Sequence, residues 1–126
     1  MEFTDGFYEN ESLLRGVNKN PNFWNDEKQR PSSAIFKDSK GISVNRTGEN
    51  KKYYTESLEI LKHNLGDNIK TVAEINVSYC INLELYLKYL PTDDNIYHSE
   101  IHKSENQVTL SKSDAKKLSD LCKIVD

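Results

Sequence analysis

The chain has 126 residues, 36% of them hydrophobic and 29% charged, a mean hydropathy of -0.76 and a formal charge of -3. That suits a single soluble domain over 1–126 and excludes a large multidomain enzyme. No stretch reaches the roughly 18 apolar residues of a membrane span, residues 1–10 lack the apolar core of a secretory signal, and 17 basic against 20 acidic residues give no overall pull toward nucleic acid or an anionic membrane.

Residues 1–10 are acidic and aromatic, with Phe3, Phe7 and Tyr8 as apolar anchors. They precede Leu13-Leu14-Arg15-Gly16-Val17, a short apolar run that predicts a first strand interrupted by one cation. Residues 18–30 are rich in Asn around Pro21 and predict a loop, pinned to the core by the rings of Phe23 and Trp24. Residues 32–37 and 41–44 flank Asp38-Ser39-Lys40, and the turn chemistry of Asp, Ser and Gly41 predicts a β-hairpin. A polar linker, 45–50, follows. In 51–65, Tyr54, Leu58, Leu61 and Leu65 recur at helical spacing, with Gly66 as the stop.

Over 71–80 the period changes to two, with Ala73, Ile75, Val77 and Tyr79 on one face, which predicts a strand. Leu83, Leu85, Leu87 and Tyr89 continue the alternation, although a leucine-rich run over 83–90 also fits a short helix. A loop over 91–95 separates it from a strand at 96–102. At the end, Ser111 caps a helix, with Asp114 as a short capping-box acceptor and Leu110 with Ala115 as a staple. Ala115, Leu118, Leu121 or Cys122, and Val125 form its buried stripe. The order β-β-β-α-β-β-β-α predicts an α+β fold: one small domain with a mixed or antiparallel sheet of about five to six strands covered by two helices.

Cys80 and Cys122 lie in apolar stretches and form no CxxC pair, which points to buried thiols rather than a disulfide framework or a zinc site. Neither GxGxxG, GxxxxGK[ST] nor GxSxG occurs. The densest polar constellation is Tyr97-His98-Ser99-Glu100-Ile101-His102. On a strand, His98, Glu100 and His102 share one face with the outer pair about 13 Å apart, too far for one ion to hold all three. The expectation is therefore no metal and no cofactor, with either a solvated strand face or an imidazole and carboxylate acting on a substrate. Arg15, inside a short strand, needs water, a carboxylate such as Glu11, or a phosphate. Ser32 and Ser33 open the next segment.

An Arg on an early strand, a Ser pair opening the next and a late His/Glu strand resemble the ADP-ribosyltransferase-type layout in order and residue type. That resemblance casts Arg15 as a pyrophosphate or ribose anchor, Ser32 or Ser33 as a positioning hydroxyl and Glu100 as the carboxylate facing oxocarbenium charge. A second resemblance covers more of the chain. Leu13-Leu14-Arg15, Pro31-Ser32-Ser33-Ala34-Ile35-Phe36 with Ile42-Ser43-Val44, and Pro91 to His98 are similar to a widespread family of small uncharacterised bacterial proteins with an Arg-bearing first strand, a PSSAAF-like hairpin and a late Pro-turn-His segment. This chain reads Asn95-Ile96-Tyr97-His98 where the family form reads Asn-Pro-Ala-His. The resemblance implies a bacterial origin, no known activity, and Arg15, Ser32, Ser33 and His98 as the residues to watch.

Two functions follow as expectations. One is a cytoplasmic accessory protein that acts through a partner protein, in a toxin, immunity or phage-defence assembly, with Tyr53, Tyr54, Tyr86 and Tyr89 as candidate anchors. The alternative is a small nucleotide-handling enzyme with Arg15, Ser32, Ser33 and His98, assisted by Glu100, as catalytic candidates. Lys112, Lys116, Lys117 and Lys123 sit on or beside the last helix, where lysines favour the macrodipole, so nucleic-acid binding is not expected. The lack of interleaved aromatic platforms points the same way. No membrane partner is expected.

Overall fold

Leu13, Leu14 and Val17 are all fully buried along β1 (Ser12–Asn18), and a strand buried on both faces belongs inside a sheet. In the computed structural model, which describes residues 3–125, β1 indeed lies between two other strands. Met1, Glu2 and Asp126, the outermost residues of the expected 1–126 domain, lie outside the described residues. Next comes a small ribbon of β2 (Trp24–Asn25) and β3 (Arg30–Pro31), then β4 (Ile42–Arg46) and α1 (Tyr54–Leu65). β5 (Ile69–Asn76), α2 (Val77–Asn82), β6 (Tyr86–Tyr89), β7 (His98–His102), α3 (Lys112–Leu121) and β8 (Lys123–Val125) complete the chain.

The main sheet is antiparallel throughout, in the order β6-β7-β4-β1-β5-β8. The architecture is α+β, one small domain with, among the described residues, a six-stranded sheet, a two-stranded ribbon and three α-helices. Ile42, Val44, Ile75 and Ile101 from the sheet meet Ile35 and Phe36, and α3 adds Ala115 and Leu118 to the same core. Gly16 lets α1 close over β1, because a Cβ there would collide with the side chain of Leu65. Among the described residues no helix is long and apolar enough to cross a membrane.

Several expected elements take another form. Residues 32–37 are not a hairpin strand: Ser33–Phe36 winds as a 3-10 turn after Pro31, and the Ser32 hydroxyl caps it by accepting from Ala34 N at 3.3 Å. The strand on the far side of that turn runs on through Asn45 and Arg46, into residues whose polarity predicts a linker. The strand expected over 71–80 ends at Asn76, and Val77 and Cys80, three apart, bury one face of α2. The ambiguous 83–90 run holds β6. Val125 pairs with Val72 in β8 instead of joining the α3 stripe. Ser111 caps α3 as expected, accepting from Asp114 N at 3.1 Å, while the Asp114 carboxylate turns to Lys103 Nζ at 2.7 Å.

Candidate functional site

The register of the three strands at one end of the sheet assembles a polar face. Ser43 lies opposite Glu100 and Asn45 opposite His98, while Lys88 lies opposite Glu100 and Tyr86 opposite His102. Directly opposed residues share a face, so Ser43, His98, Glu100, His102, Tyr86 and Lys88 form one surface. Glu100 accepts from His102 Nε2 at 2.7 Å. A Cβ at Gly41 would collide with that carboxylate and meet His102 Nε2 at 3.0 Å, and the φ of +104° there favours glycine independently. Glu100 and His98 are therefore neighbours on one face, with the carboxylate bonded to the other histidine.

His98 points elsewhere. Its Nδ1 lies 2.9 Å from Leu90 O and its Nε2 lies 3.4 Å from Ser43 Oγ. Arg15 reaches the same serine from the opposite strand. Its Nη1 donates to Ser43 O at 2.9 Å and its Nε to Ile35 O at 3.1 Å. The cause is topological: β1 and β4 pair only at Leu13 with Arg46 and Leu14 with Asn45, and the guanidinium supplies donors where main-chain pairing stops. Burial lowers the Arg15 pKa, and Asp38 works against that shift. Arg15 thus touches the main chain of Ser43 from the Ile35 side of the sheet, and His98 touches its hydroxyl on the other face. Between Ile42 and Val44, Ser43 looks like ordinary alternation in the sequence.

Ser32 and Ser33 belong to a different place. The Ser32 hydroxyl donates to Asn22 O at 2.6 Å while capping the 3-10 turn. Both serines line a cavity of about 150 Å³ with Lys28, Arg30, Lys116 and Asp120, and Arg15, His98 and Glu100 line none of it. Arg30 donates to Ser119 O and to Cys122 O at 3.1 Å, so its charge meets the carbonyl end of α3. The five candidate residues therefore fall into two groups, with Arg15, His98 and Glu100 around Ser43 and the Ser pair beside α3.

The structure also contains a polar centre that hydropathy did not reveal. Arg46 and Glu11 are both fully buried, with Nε to Oε2 at 2.8 Å and Nη2 to Oε1 at 2.9 Å. The guanidinium also donates to Thr4 O and Gly6 O, each at 2.9 Å, and lies 4.3 Å from the Phe3 ring centroid, 4.2 Å from that of Phe7 and 5.0 Å from that of Tyr89. Glu11 further accepts from Gly48 N at 2.8 Å and Tyr8 N at 3.1 Å. Glu11 is thus the partner of Arg46 and not of Arg15. This centre holds the segment before β1 against the sheet.

No family model matches the chain, and neither does any curated protein or solved structure.

β6 is the outermost strand on the His98 side of the sheet. Leu90 N donates to His98 O at 3.0 Å, which fixes the ladder's phase. Tyr86, Lys88 and Leu90 turn their main-chain groups toward β7, whereas Leu87 and Tyr89 turn theirs outward. A cavity of about 240 Å³, lined by Asp5, Tyr86, Leu87, Lys88 and Tyr89, adjoins that edge. Of the four candidate anchor tyrosines, Tyr53 packs on Phe3, Tyr54 reaches Glu74, Tyr89 packs at the Arg46 centre, and Tyr86 is exposed.

Proposed function

We propose that this protein is an accessory protein that binds a partner protein along β6, taking an extended segment of the partner as an added strand. The observation that carries the reading is the outward main chain of Leu87 and Tyr89 beside exposed Tyr86 and the 240 Å³ cavity. Strand addition draws affinity from main-chain hydrogen bonds and specificity from alternate side chains. A partner side chain would enter the cavity, where Asp5 and Lys88 offer charges of both signs. The setting proposed is the bacterial cytoplasm, in a toxin, immunity or phage-defence assembly, in keeping with the small-protein resemblance of the Arg15, Pro31–Ser33 and His98 segments. The nucleotide-handling alternative asks Arg15, Ser32, Ser33 and His98 to share one pocket, and their division into two groups gives it less support.

The test is quantitative affinity capture from native cells with the intact chain. A stoichiometric protein should be captured by the wild type and by Lys62→Ala, and lost with Tyr86→Ala and with Leu87→Pro, which removes an outward N–H that β7 does not use. Equal capture by the edge variants, or no stoichiometric partner at all, would refute the reading. Thermal unfolding of Tyr86→Ala close to that of the wild type keeps misfolding out of the comparison.

A further inference from the structure

The face around Ser43 holds an arrangement that strand addition does not use. A carbonyl only accepts, so Leu90 O at 2.9 Å fixes the proton of a neutral His98 on Nδ1 and leaves the Nε2 lone pair toward Ser43 Oγ at 3.4 Å. The backbone of His98 is held at the same point, its main-chain carbonyl accepting from Leu90 N at 3.0 Å. Ser43 is exposed, and Arg15 holds its main-chain carbonyl at 2.9 Å. A hydroxyl, a base within reach and an acceptor that orients the base are the three parts of an activated nucleophile. Such contacts are commonly long before substrate binds.

We propose that Ser43 is a nucleophilic serine activated by His98, which takes acyl groups from small activated esters. Oγ bonds to the ester carbonyl carbon while its proton passes to Nε2. Collapse of the tetrahedral adduct breaks the ester C–O bond, and the proton leaves with the departing alcohol, giving acylated Ser43 and free alcohol.

The test uses the intact chain and a fluorophosphonate probe, which forms a stable P–O bond to an activated serine with loss of fluoride, read by intact mass and peptide mapping. Native wild-type protein and Ser113→Ala should each carry one adduct on the peptide that holds Ser43. Ser43→Ala and urea-unfolded wild type should carry none, and His98→Gln should label at least roughly 100-fold more slowly. No adduct on native protein, an adduct on another residue, or equal labelling of folded and unfolded chain would overturn the proposal. The native-against-unfolded comparison decides even if His98→Gln fails to fold, and partner capture at β6 is unaffected by the outcome.

Discussion

Arg46 and Arg15 stand on adjacent strands, and each places a guanidinium among main-chain carbonyls, but their surroundings differ in kind. Arg46 has no exposed surface, a bidentate carboxylate, two carbonyls and three aromatic rings. Arg15 has two carbonyls, with Asp38 as the acid that opposes its desolvation and the exposed Ser43 at its tip. The first is a closed centre in which every charge depends on another. The second closes a gap in a sheet and leaves chemistry open beside it. Burial with full pairing makes structure, and partial burial beside an exposed hydroxyl makes a candidate site.

The sharpest way to break this contrast is to remove one charge from the closed centre. Arg46→Met leaves the Glu11 carboxylate buried without its partner and should cost about 3–5 kcal/mol in urea unfolding. Adding Glu11→Leu should recover part of the loss, because the uncompensated charge goes with it. A cost of Arg46→Met below about 1 kcal/mol would dissolve the distinction.

Alkali should act on the core and on the rings around Arg46. Burial pushes the Cys80 thiol from its ordinary 9.0 up to about 12. It also raises the hydroxyls of Tyr89 and Tyr97 above 10.0, with Arg46 opposing the shift at Tyr89. Each raised group keeps its proton longer in the folded chain than in the unfolded one, so the stability it contributes is complete below the unfolded pKa and is lost as pH rises. For Cys80 that window opens near pH 9 and closes near pH 12, and it is worth on the order of 4 kcal/mol. Tyr89 and Tyr97 add losses above pH 10 in the same direction. Urea midpoints measured on both sides of pH 9 should fall with rising pH, and Cys80→Ala should fall less steeply whatever its starting stability. A parallel decline would remove the thiol from the account.

The smallest expected effect is at the open region. Arg15→Met takes donors from Ile35 O and Ser43 O, and because Ser43 faces solvent, water replaces part of what is lost. The cost should be about 1–2 kcal/mol, with Arg15→Lys between wild type and Met, since an ammonium cannot spread over two carbonyls as a guanidinium does. Equal costs at Arg15 and Arg46, measured in the same urea series, would mean that the two regions do not differ in kind.

What the sequence made legible follows the range of the forces involved. The Ser111 cap and the Leu58, Leu61 and Leu65 spacing are local, and both helices form where these predict. The 71–80 alternation overruns the strand by one turn because Val77 fits both periods, pairing with Tyr79 at strand spacing and with Cys80 at helical spacing. Residues 32–37 look extended by composition, but Ser32 engages Ala34 N two residues on, a local bond that competes with strand pairing. Arg46 is not legible in the sequence because its carboxylate lies 35 positions away, and nothing in a hydropathy pattern marks a polar residue that is fully paired. His98 stood out by residue type. Ser43 did not, since only the register of β4 with β7 brings it to the imidazole.

The place of β1 at the middle of the sheet has a consequence for how the chain folds during synthesis. Its registers run from Leu13 with Arg46 on one side to Ser12 with Asn76 on the other, so the first strand made waits for both its neighbours. Until residue 76 has emerged, Leu13, Leu14 and Val17 lack the β5 side of their packing, and the ladder that finally covers them closes a loop of some sixty residues at its end. Such distant pairing folds slowly and leaves an apolar strand open to wrong partners meanwhile. For a nascent chain of this design, the interval between making β1 and β5 is the period of greatest exposure to aggregation.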